Sequence, residues 1–349
     1  MRIAQISTLA TPVAGHGSGS IEGLVWILTR ELVRRGHEVT VFGAGGSETD
    51  GRLVATLPGI YARNGSPSDW HVCEWINLCR AVEQSGRFDV LHSHSYLNGV
   101  PLAPVSAAPM VHTLHVNADD DFAEVWRLYP DAYVTAISQY QWSRYPDLRP
   151  AAVIHHGIDP ALFTFREAPE DYVCFLGRFT PDTGPLAAIE VARALGVPLI
   201  LAGPANDYFR SCVQPLVDGK EVRYVGPVGG AGRDRLLGGA RALLYPIMRP
   251  EPFGLVLIEA MMCGTPVVAI GIGAVPEIVE GGVSGYCAAD LEAFRRQVPA
   301  AFALDRRRVR QAAELRFSAN RMAGQYEVVY RSLSSCGRGS ARCPEGVRP

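Results

Sequence analysis

The segment between Pro250 and Ala269 combines residue types that can bind a phosphorylated, hydroxyl-rich ligand. Glu251 stands between two prolines, which hold it in an extended loop. Gly254 removes a side chain at a point where the backbone could approach a ligand. A helix predicted to begin near Leu255 would aim free N–H groups and the positive end of its dipole at the same place, which suits phosphate.

A second carboxylate, Glu259, lies about one turn inside that helix. Carboxylates on both sides of a phosphate site suit the recognition of hydroxyl groups, with a sugar on one flank and a ribose on the other. The residues alone also allow a plainer interpretation, in which the segment is a loop and a helix whose Glu259 contacts the protein interior.

Strands and helices alternate along both halves of the chain, and this alternation predicts the frame for the site. In the first half, a buried strand at 2–7, a glycine-rich loop, a helix at 21–35 and a strand at 38–43 form a βαβ unit. A second series with the same rhythm begins near Tyr172. Parallel strands place ligand sites at their carboxyl ends. We therefore predict an α/β protein with two Rossmann-like domains whose parallel sheets face a central cleft.

The predicted domains cover residues 1–165 and 166–315, joined by a short linker. Residues 316–333 continue a helical pattern that starts at 306, and we expect them to form a helix that packs back toward the first domain. Residues 334–349 are rich in Gly, Ser, Arg and Pro, and we expect a disordered tail there.

Composition excludes several classes of function. Only one of the 33 basic residues is a lysine, Lys220. A P-loop Gly-Lys-Ser/Thr is therefore absent, and Schiff-base chemistry would depend on a lysine in a solvated turn. The formal net charge of −2 argues against a polyanion-binding surface, so no nucleic-acid partner is expected.

Cysteine usage and the first residues indicate the compartment. None of the eight cysteines forms a C-x-x-C pair, and most stand in apolar segments, as is typical of small buried side chains in a reducing cytosol. Pro12 and Gly15 interrupt the start of the chain, which predicts neither a signal peptide nor a membrane span. We expect a soluble, cytoplasmic protein, with membrane association allowed but not indicated.

Four histidines fall at predicted strand ends: His92, His94, His115 and His156. No carboxylate accompanies His92 and His94, so their spacing is not typical of a metal site. The acidic run at 119–121 is interpreted as a solvated loop, because consecutive carboxylates cannot all converge on one cation.

The run from Glu251 to Ala269 resembles the hallmark of the family 4 retaining nucleotide-sugar glycosyltransferases, which have two Rossmann-like domains of the GT-B type. That hallmark is a Glu, seven residues and a second Glu, inside E-P-F-G-L…E-A-M…G-x-P-V-V-A. Shorter motifs resemble the family in the same order along the chain. They lie at 19–22, 30–39, 89–94, 113–115, 157–163 and 176–178. The resemblance covers roughly residues 1–330.

This resemblance implies a donor site made mostly by the second domain. Glu251 would hold hydroxyls of the donor sugar, and Glu259 would hold those of the ribose. Backbone N–H groups at Phe253, Gly254 and Leu255 would bind sugar or diphosphate oxygens.

Further contacts follow from the same resemblance. Arg178 would stabilise the departing diphosphate, to which its planar guanidinium is suited. Gly19 and Ser20 would let the first domain close on the same phosphates, and His115 would lie near the sugar and the acceptor. Such enzymes usually need no metal, because arginine and a helix terminus stabilise the charge, and the nucleotide sugar is a substrate rather than a cofactor.

Two positions depart from the family pattern. Thr183 occupies the donor-site position where the family keeps a lysine, and the loss of that charge would cost roughly 2–4 kcal/mol in the transition state. Lys220 cannot obviously replace it, and Arg249, beside the donor loop, is the first candidate to do so. Ser20 stands where the family has a second glycine.

The leading interpretation is a retaining transferase that moves a sugar from a nucleoside-diphosphate sugar, UDP favoured over GDP, to a small-molecule or saccharide acceptor. Loops of the first domain at 64–75 and 116–129 would select that acceptor. Thr183 leaves open a nucleotide-sugar-binding protein with weak or lost catalysis. A sugar-nucleotide epimerase on the same scaffold lacks support from the donor motif, and a pyridoxal-phosphate phosphorylase would need a lysine in its core.

Overall fold

The computed structural model describes residues 1–15, 21–61 and 69–335. Contacts divide the chain into two compact units. The first unit holds Met1–Gly157 and the segment from Ala319 onward, and the second holds Ile158–Ser318. The segment 158–165, predicted to close the first domain, therefore groups with the second unit. Most of the predicted tail lies outside the described residues.

The first unit is built on a parallel sheet of seven strands in the order β3-β2-β1-β4-β5-β6-β7. The strands are β1 (Arg2–Ile6), β2 (Glu38–Ala44), β3 (Arg52–Leu57), β4 (Val90–Ser93), β5 (Met110–Leu114), β6 (Tyr133–Ala136) and β7 (Ala152–Val153). The helices of this unit are α1 (Ile21–Arg34), α2 (Trp70–Glu83), α3 (Asp120–Leu128) and α10 (Ala319–Ser335). Because every pair is parallel, the carboxyl ends of the strands meet at one edge.

The acidic run at 119–121 begins helix α3. Asp119 accepts a hydrogen bond from the backbone N–H of Phe122 at 2.8 Å, which satisfies a donor that has no partner inside the helix. Asp120 accepts a hydrogen bond from the hydroxyl of Tyr145 at 2.7 Å. The three residues are exposed as expected, but the expectation of a loop is wrong: they begin a helix, whose dipole stabilises carboxylates at its start.

Helix α10 completes the core of the first unit. Met322, Tyr326 and Tyr330 are buried in the same cluster as Val90 of β4 and Val111 of β5. Side chains from the end of the described chain therefore pack on strands from its first third.

The helical pattern predicted over 306–333 is interrupted. Ser318 has extended backbone and bridges to Ile158, so α9 (Arg306–Phe317) ends there and α10 follows it. Helix α9 belongs to the second unit and α10 to the first. Sequence reasoning missed the break because no glycine or proline marks it.

The second unit has a parallel sheet of six strands in the order β10-β9-β8-β11-β12-β13. The strands are β8 (Val173–Leu176), β9 (Leu199–Ala202), β10 (Val222–Tyr224), β11 (Leu243–Tyr245), β12 (Val267–Ile270) and β13 (Gly285–Ala288). The helices are α4 (Pro185–Leu195), α5 (Gly230–Gly239), α6 (Leu255–Met262), α7 (Val275–Ile278), α8 (Leu291–Ala301) and α9. Parallel sheets that alternate with helices in both units confirm the predicted α/β class.

A buried arginine ties several segments of the second unit together. Arg306, the first residue of α9, donates hydrogen bonds to three carbonyl oxygens and one hydroxyl. The acceptors are the carbonyls of Arg166, Gly238 and Ala240 at 2.7, 2.7 and 2.9 Å, and Oγ1 of Thr265 at 2.9 Å. Burial lowers the pKa of Arg306, and the four hydrogen-bond acceptors stabilise its charge where water cannot.

Replacing Arg306 with Met should destabilise the second unit by about 3 kcal/mol or more, because four buried acceptors lose their donor. Thermal unfolding of the full chain measures this. Arg308→Met is the matched control, since Arg308 is an exposed residue of the same helix, and its melting temperature should stay near that of the unaltered protein. Equal melting temperatures for the two variants would contradict a structural role for Arg306.

Candidate active site

Glu251 stands in a loop of the second unit whose backbone is fixed by the neighbouring loop. Its carbonyl accepts a hydrogen bond from the N–H of Ala274 at 2.9 Å. Gly273, with φ +65°, packs so closely that a Cβ atom there would lie 2.5 Å from the Glu251 nitrogen. Any side chain at Gly273 would displace the Glu251 loop, so the loops that follow β11 and β12 position this carboxylate together.

Helix α6 begins at the glycine that the sequence singled out. Gly254 has φ +95°, a left-handed conformation that favours glycine. No described side chain caps the helix, so the N–H groups of its first turn, from Leu255 on, have no side-chain acceptor. Phe253 is buried, with its ring edge-on to Phe317 at 6.0 Å between centroids. Its contribution to a ligand site is therefore limited to its backbone.

Two arginines bring positive charge to Glu251. Arg249 Nε lies 2.9 Å from Oδ2 of Asp182, and its Nη2 lies 3.8 Å from Oε1 of Glu251. Arg178 is exposed just after β8, the strand beside β11. Burial raises the pKa of Glu251, while the charges of Arg249 and Arg178 oppose that rise. Arg178, which follows β8, and the loop with Arg249 and Glu251, which follows the adjacent β11, are thus coupled electrostatically.

The hydroxyl of Thr183 is used within its own turn. Its Oγ1 lies 2.7 Å from the carbonyl oxygen of Arg178 and 2.9 Å from that of Thr180, and it accepts a hydrogen bond from the Thr180 N–H at 3.2 Å. The hydroxyl therefore stabilises the turn, and the donor contact predicted for Thr183 stays a prediction. Positive charge reaches this turn instead through Arg249, which pairs with the adjacent Asp182.

Glu259 is buried in α6 and pairs with an arginine. Arg233 of α5 donates from Nη1 to Oε1 of Glu259 at 2.7 Å. Burial raises the pKa of Glu259, and Arg233 opposes that rise. The Nε atom of Arg233 is buried and has no partner among the described residues. The sequence interpretation missed Arg233, although the glycine-rich run at 229–232 ahead of it was a signal that backbone can approach a ligand there.

In the first unit, the four histidines that the sequence singled out lie together. His94 follows β4 and His115 follows β5, and Nδ1 of His94 lies 2.9 Å from Nε2 of His115. His92 lies inside β4 rather than at its end, with Nδ1 2.6 Å from the hydroxyl of Tyr330. The ring of His156 stacks on that of His115, with 5.3 Å between centroids.

Fixed donors and acceptors in this network determine the protons on His115. Gln5 donates from Nε2 to the hydroxyl of Tyr330 at 3.2 Å, and its Oε1 lies 2.8 Å from Nε2 of His94, which must therefore carry the hydrogen. Burial lowers the pKa of His94 far below its usual range and that of His115 to about 3. Both rings are then neutral at pH 7, His94 Nδ1 accepts from His115 Nε2, and His115 Nδ1 holds a lone pair. That nitrogen is buried with no partner in the described part of the chain.

The remaining sequence predictions concern the amino-terminal loop, the single lysine, metal sites and membrane spans. Gly19 and Ser20 lie outside the described residues, and Lys220 is exposed in a turn. Within residues 1–15, 21–61 and 69–335, no group of three or more His, Cys, Asp or Glu side chains could hold a metal ion. Over the same ranges, no helix is both long and apolar enough to cross a membrane.

The network predicts one tautomer for His115. Long-range ¹H–¹⁵N correlation spectra at pH 7 should show His115 protonated at Nε2 and unprotonated at Nδ1. Gln5→Leu removes the acceptor of the His94 N–H and should change the tautomers of His94 and His115, whereas Gln325→Leu, an exposed glutamine of α10, should not. A proton on Nδ1 of His115 in the unaltered protein would contradict the network.

Comparison with protein families assigns both units. A model described as Glycosyltransferase Family 4 matches residues 21–162. A model described as Glycosyl transferases group 1 matches residues 164–315. Together these two matches run from α1 to the end region of α9, so they include the Glu251 loop, Glu259 and the four histidines.

Individual relatives agree with these matches. D-inositol 3-phosphate glycosyltransferase of Mycolicibacterium smegmatis is 30% identical over 81% of this chain and 79% of the relative. AviGT4, a glycosyltransferase involved in avilamycin A biosynthesis, has a solved structure with TM-score 0.73 and 27% identity, covering 96% of this chain and 98% of AviGT4. Anabaena Alr3699/HepE, solved with UDP-glucose, has TM-score 0.71 and 20% identity, covering 95% and 100%. These neighbours are GT-B glycosyltransferases, and the chain therefore belongs to glycosyltransferase family 4 and is a glycosyltransferase.

Proposed function

We propose that the protein transfers a sugar from a UDP-sugar to a hydroxyl group of a small-molecule or saccharide acceptor, with retention of configuration and without a metal. One observation carries the proposal: the Glu251 carboxylate lies 3.8 Å from Arg249 and is influenced by the charge of Arg178, in the loop that leads into the uncapped start of α6. A carboxylate can hold sugar hydroxyls, while guanidinium and helix N–H groups can hold a diphosphate. The site offers complementary contacts to both halves of a nucleotide sugar.

Uridine diphosphate is the favoured carrier, with guanosine diphosphate second. Solved structures of Anabaena Alr3699/HepE contain UDP and UDP-glucose, which supports this order. Glu259 would accept the ribose hydroxyls through Oε2, because Arg233 occupies Oε1. The unpartnered Nε of Arg233 is a further donor for the same ligand.

In the proposed reaction, an acceptor oxygen bonds to the anomeric carbon while the bond from that carbon to the diphosphate breaks. The acceptor proton passes to the departing phosphate oxygen on the same face, so the configuration is retained. Arg178, Arg249 and the first-turn N–H groups of α6 would stabilise the charge that develops on the diphosphate. These groups would supply the charge stabilisation that a divalent cation supplies in other transferases.

His115 would orient the donor sugar rather than take a proton. Its pKa of about 3 means that the ring does not retain a proton near neutral pH, which makes it a poor general base. Its Nδ1 lone pair can accept a hydrogen bond from a sugar hydroxyl. The departing phosphate therefore remains the group that takes the acceptor proton.

The basic test is turnover by the full chain. The protein is incubated with UDP-glucose, UDP-galactose or GDP-mannose and a panel of hydroxylated acceptors, with and without EDTA, and released nucleotide is measured. Product NMR then gives the anomeric configuration. Inversion, or release that EDTA abolishes, would contradict the corresponding part of the proposal. Tight UDP binding by calorimetry without any release would favour a nucleotide-sugar-binding protein instead.

Replacing Glu251 with Gln should lower kcat/KM by about 100-fold or more, because the amide keeps the shape but removes the charge that holds the sugar hydroxyls. Nucleotide release under single-turnover conditions measures the effect. Glu190→Gln, an exposed carboxylate on α4 of the same unit, is the control and should retain normal rates. Near-normal turnover by the Glu251→Gln protein would refute its proposed contact with the donor.

Arg249 is proposed to supply the charge that Thr183 lacks. Arg249→Gln should reduce kcat by about 100-fold, the size expected for one stabilising charge in a transition state. Adding Thr183→Lys to that variant should recover at least tenfold, whereas Thr183→Lys alone should change kcat little, since Arg249 already provides the charge.

This double-substitution cycle discriminates between two explanations. A large gain from Thr183→Lys in the unaltered background would mean that the natural site is deficient in charge. Full activity of the Arg249→Gln protein would show that Arg249 only holds Asp182 in place.

A further inference from the structure

A pocket lies within the first unit, and none of the four histidines described above is among the residues that line it. It has a volume of about 290 Å³ and is lined by the polar or aromatic side chains of Thr8, Glu22, Tyr61, Trp70, Glu74 and Tyr96. We call it the acidic pocket. No arginine, lysine or histidine is among the described residues that line it.

Glu74 is fixed at the wall of the acidic pocket by neutral donors. It projects from α2 and is 1% exposed. Its Oε1 accepts a hydrogen bond from the N–H of Leu9 at 2.8 Å, and its Oε2 accepts one from the hydroxyl of Ser95 at 2.6 Å. Burial raises the pKa of Glu74, and the charge of Glu22 raises it further.

Glu22, in the first turn of α1, is 2% exposed. Its Oε1 accepts hydrogen bonds from the Thr8 hydroxyl at 2.8 Å and from the N–H groups of Ala10 and Thr11 at 2.9 and 3.1 Å. No described residue donates to its Oε2. Both buried carboxylates are thus held by uncharged groups, and no cation from the described lining neutralises them.

Aromatic side chains also line the pocket, and Trp70 stands one helical turn before Glu74 on α2. Trp70 and Tyr96 meet edge to face, with 6.1 Å between ring centroids. Tyr96 has φ 44°, an uncommon conformation for a residue with a side chain, and its N–H donates to the carbonyl of His94 at 3.0 Å. The tyrosine ring is therefore held at the pocket by the same strand end that carries the His94–His115 pair.

Carboxylates and aromatic faces in one pocket can both attract a hydroxylated ring that bears an ammonium, the carboxylates through charge-assisted hydrogen bonds and the aromatic faces through cation–π contacts. A phosphate ester in the same pocket would meet two like charges at low exposure with no described cation to offset them. The relative from Mycolicibacterium smegmatis is named for a phosphorylated acceptor. Charge in the acidic pocket points to a different class of acceptor in this chain.

We propose that the acidic pocket binds the acceptor of the transfer reaction, and that this acceptor is a hydroxyl-rich ring without an acidic group, bound most tightly when it carries an ammonium. This inference rests on the proposed function, because only a transfer reaction has an acceptor. Binding in the pocket does not depend on turnover, so the two can be tested separately.

Ligand-observed NMR titrations of the full chain compare three probes: glucosamine, myo-inositol and glucosamine 6-phosphate. Glucosamine should bind at least tenfold more tightly than glucosamine 6-phosphate, with myo-inositol between them, since a hydrogen bond to a buried charge is worth about tenfold or more. Equal or tighter binding of the phosphate ester would overturn the proposal, and this comparison needs no variant protein.

Variants then locate the site. Glu22→Gln and Glu74→Gln should each weaken glucosamine binding about tenfold and narrow its preference over the phosphate ester. Glu83→Gln alters an exposed carboxylate at the end of the same helix α2, and it should leave the affinity for glucosamine and the preference over the phosphate ester unchanged. Unchanged glucosamine binding in both pocket variants would overturn the assignment.

UDP titrated into the same samples separates the two proposals. If the unaltered protein binds UDP but does not prefer glucosamine to glucosamine 6-phosphate, only the proposed role of the acidic pocket is overturned. If the unaltered protein neither binds UDP nor turns over a nucleotide sugar but still prefers glucosamine, only the proposed transfer is overturned.

Discussion

The chemistry of this protein depends on one geometric constraint: parallel strands end at a common edge. In the second unit, Arg178 follows β8, and the loop with Arg249 and Glu251 follows the adjacent β11. In the first unit, His94 follows β4 and His115 follows the adjacent β5. Residues far apart in the chain thereby come close enough to interact, as in the 2.9 Å contact between His94 and His115, without any long-range signal in the sequence.

Three sets of carboxylates in this protein differ in how far they are buried and in which groups stabilise their charge. Glu259 is buried but paired with Arg233, and Glu251 is less buried and faces two arginines. Among the described residues, only neutral groups donate to the buried carboxylates of the acidic pocket. Burying a carboxylate without a neighbouring cation costs stability. In our proposals, the loop of Glu251 binds an anionic ligand and the pocket beside Glu74 binds a ligand without acidic groups.

Local patterns in the sequence were enough to predict the α/β class, the Gly254 start of α6 and the family. They depend on periodicity and on spacing within a few residues. Arg233 could not be paired with Glu259 from the sequence, because the contact joins neighbouring helices. The Gln5–His94–His115 chain was equally hidden, since it crosses three strands. The break at Ser318 was missed because the bridge to Ile158 that fixes it is not local.

Helix α10 gives the first unit a particular place in the order of synthesis. Its strands leave the ribosome early, but Tyr326 and Tyr330, which fill its core and hold Gln5, His92 and Thr113, are made only after the whole of the second unit. The second unit is one continuous segment and can close its core first. The first unit of a nascent chain therefore stays incomplete until α10, which follows the whole second unit, has been made.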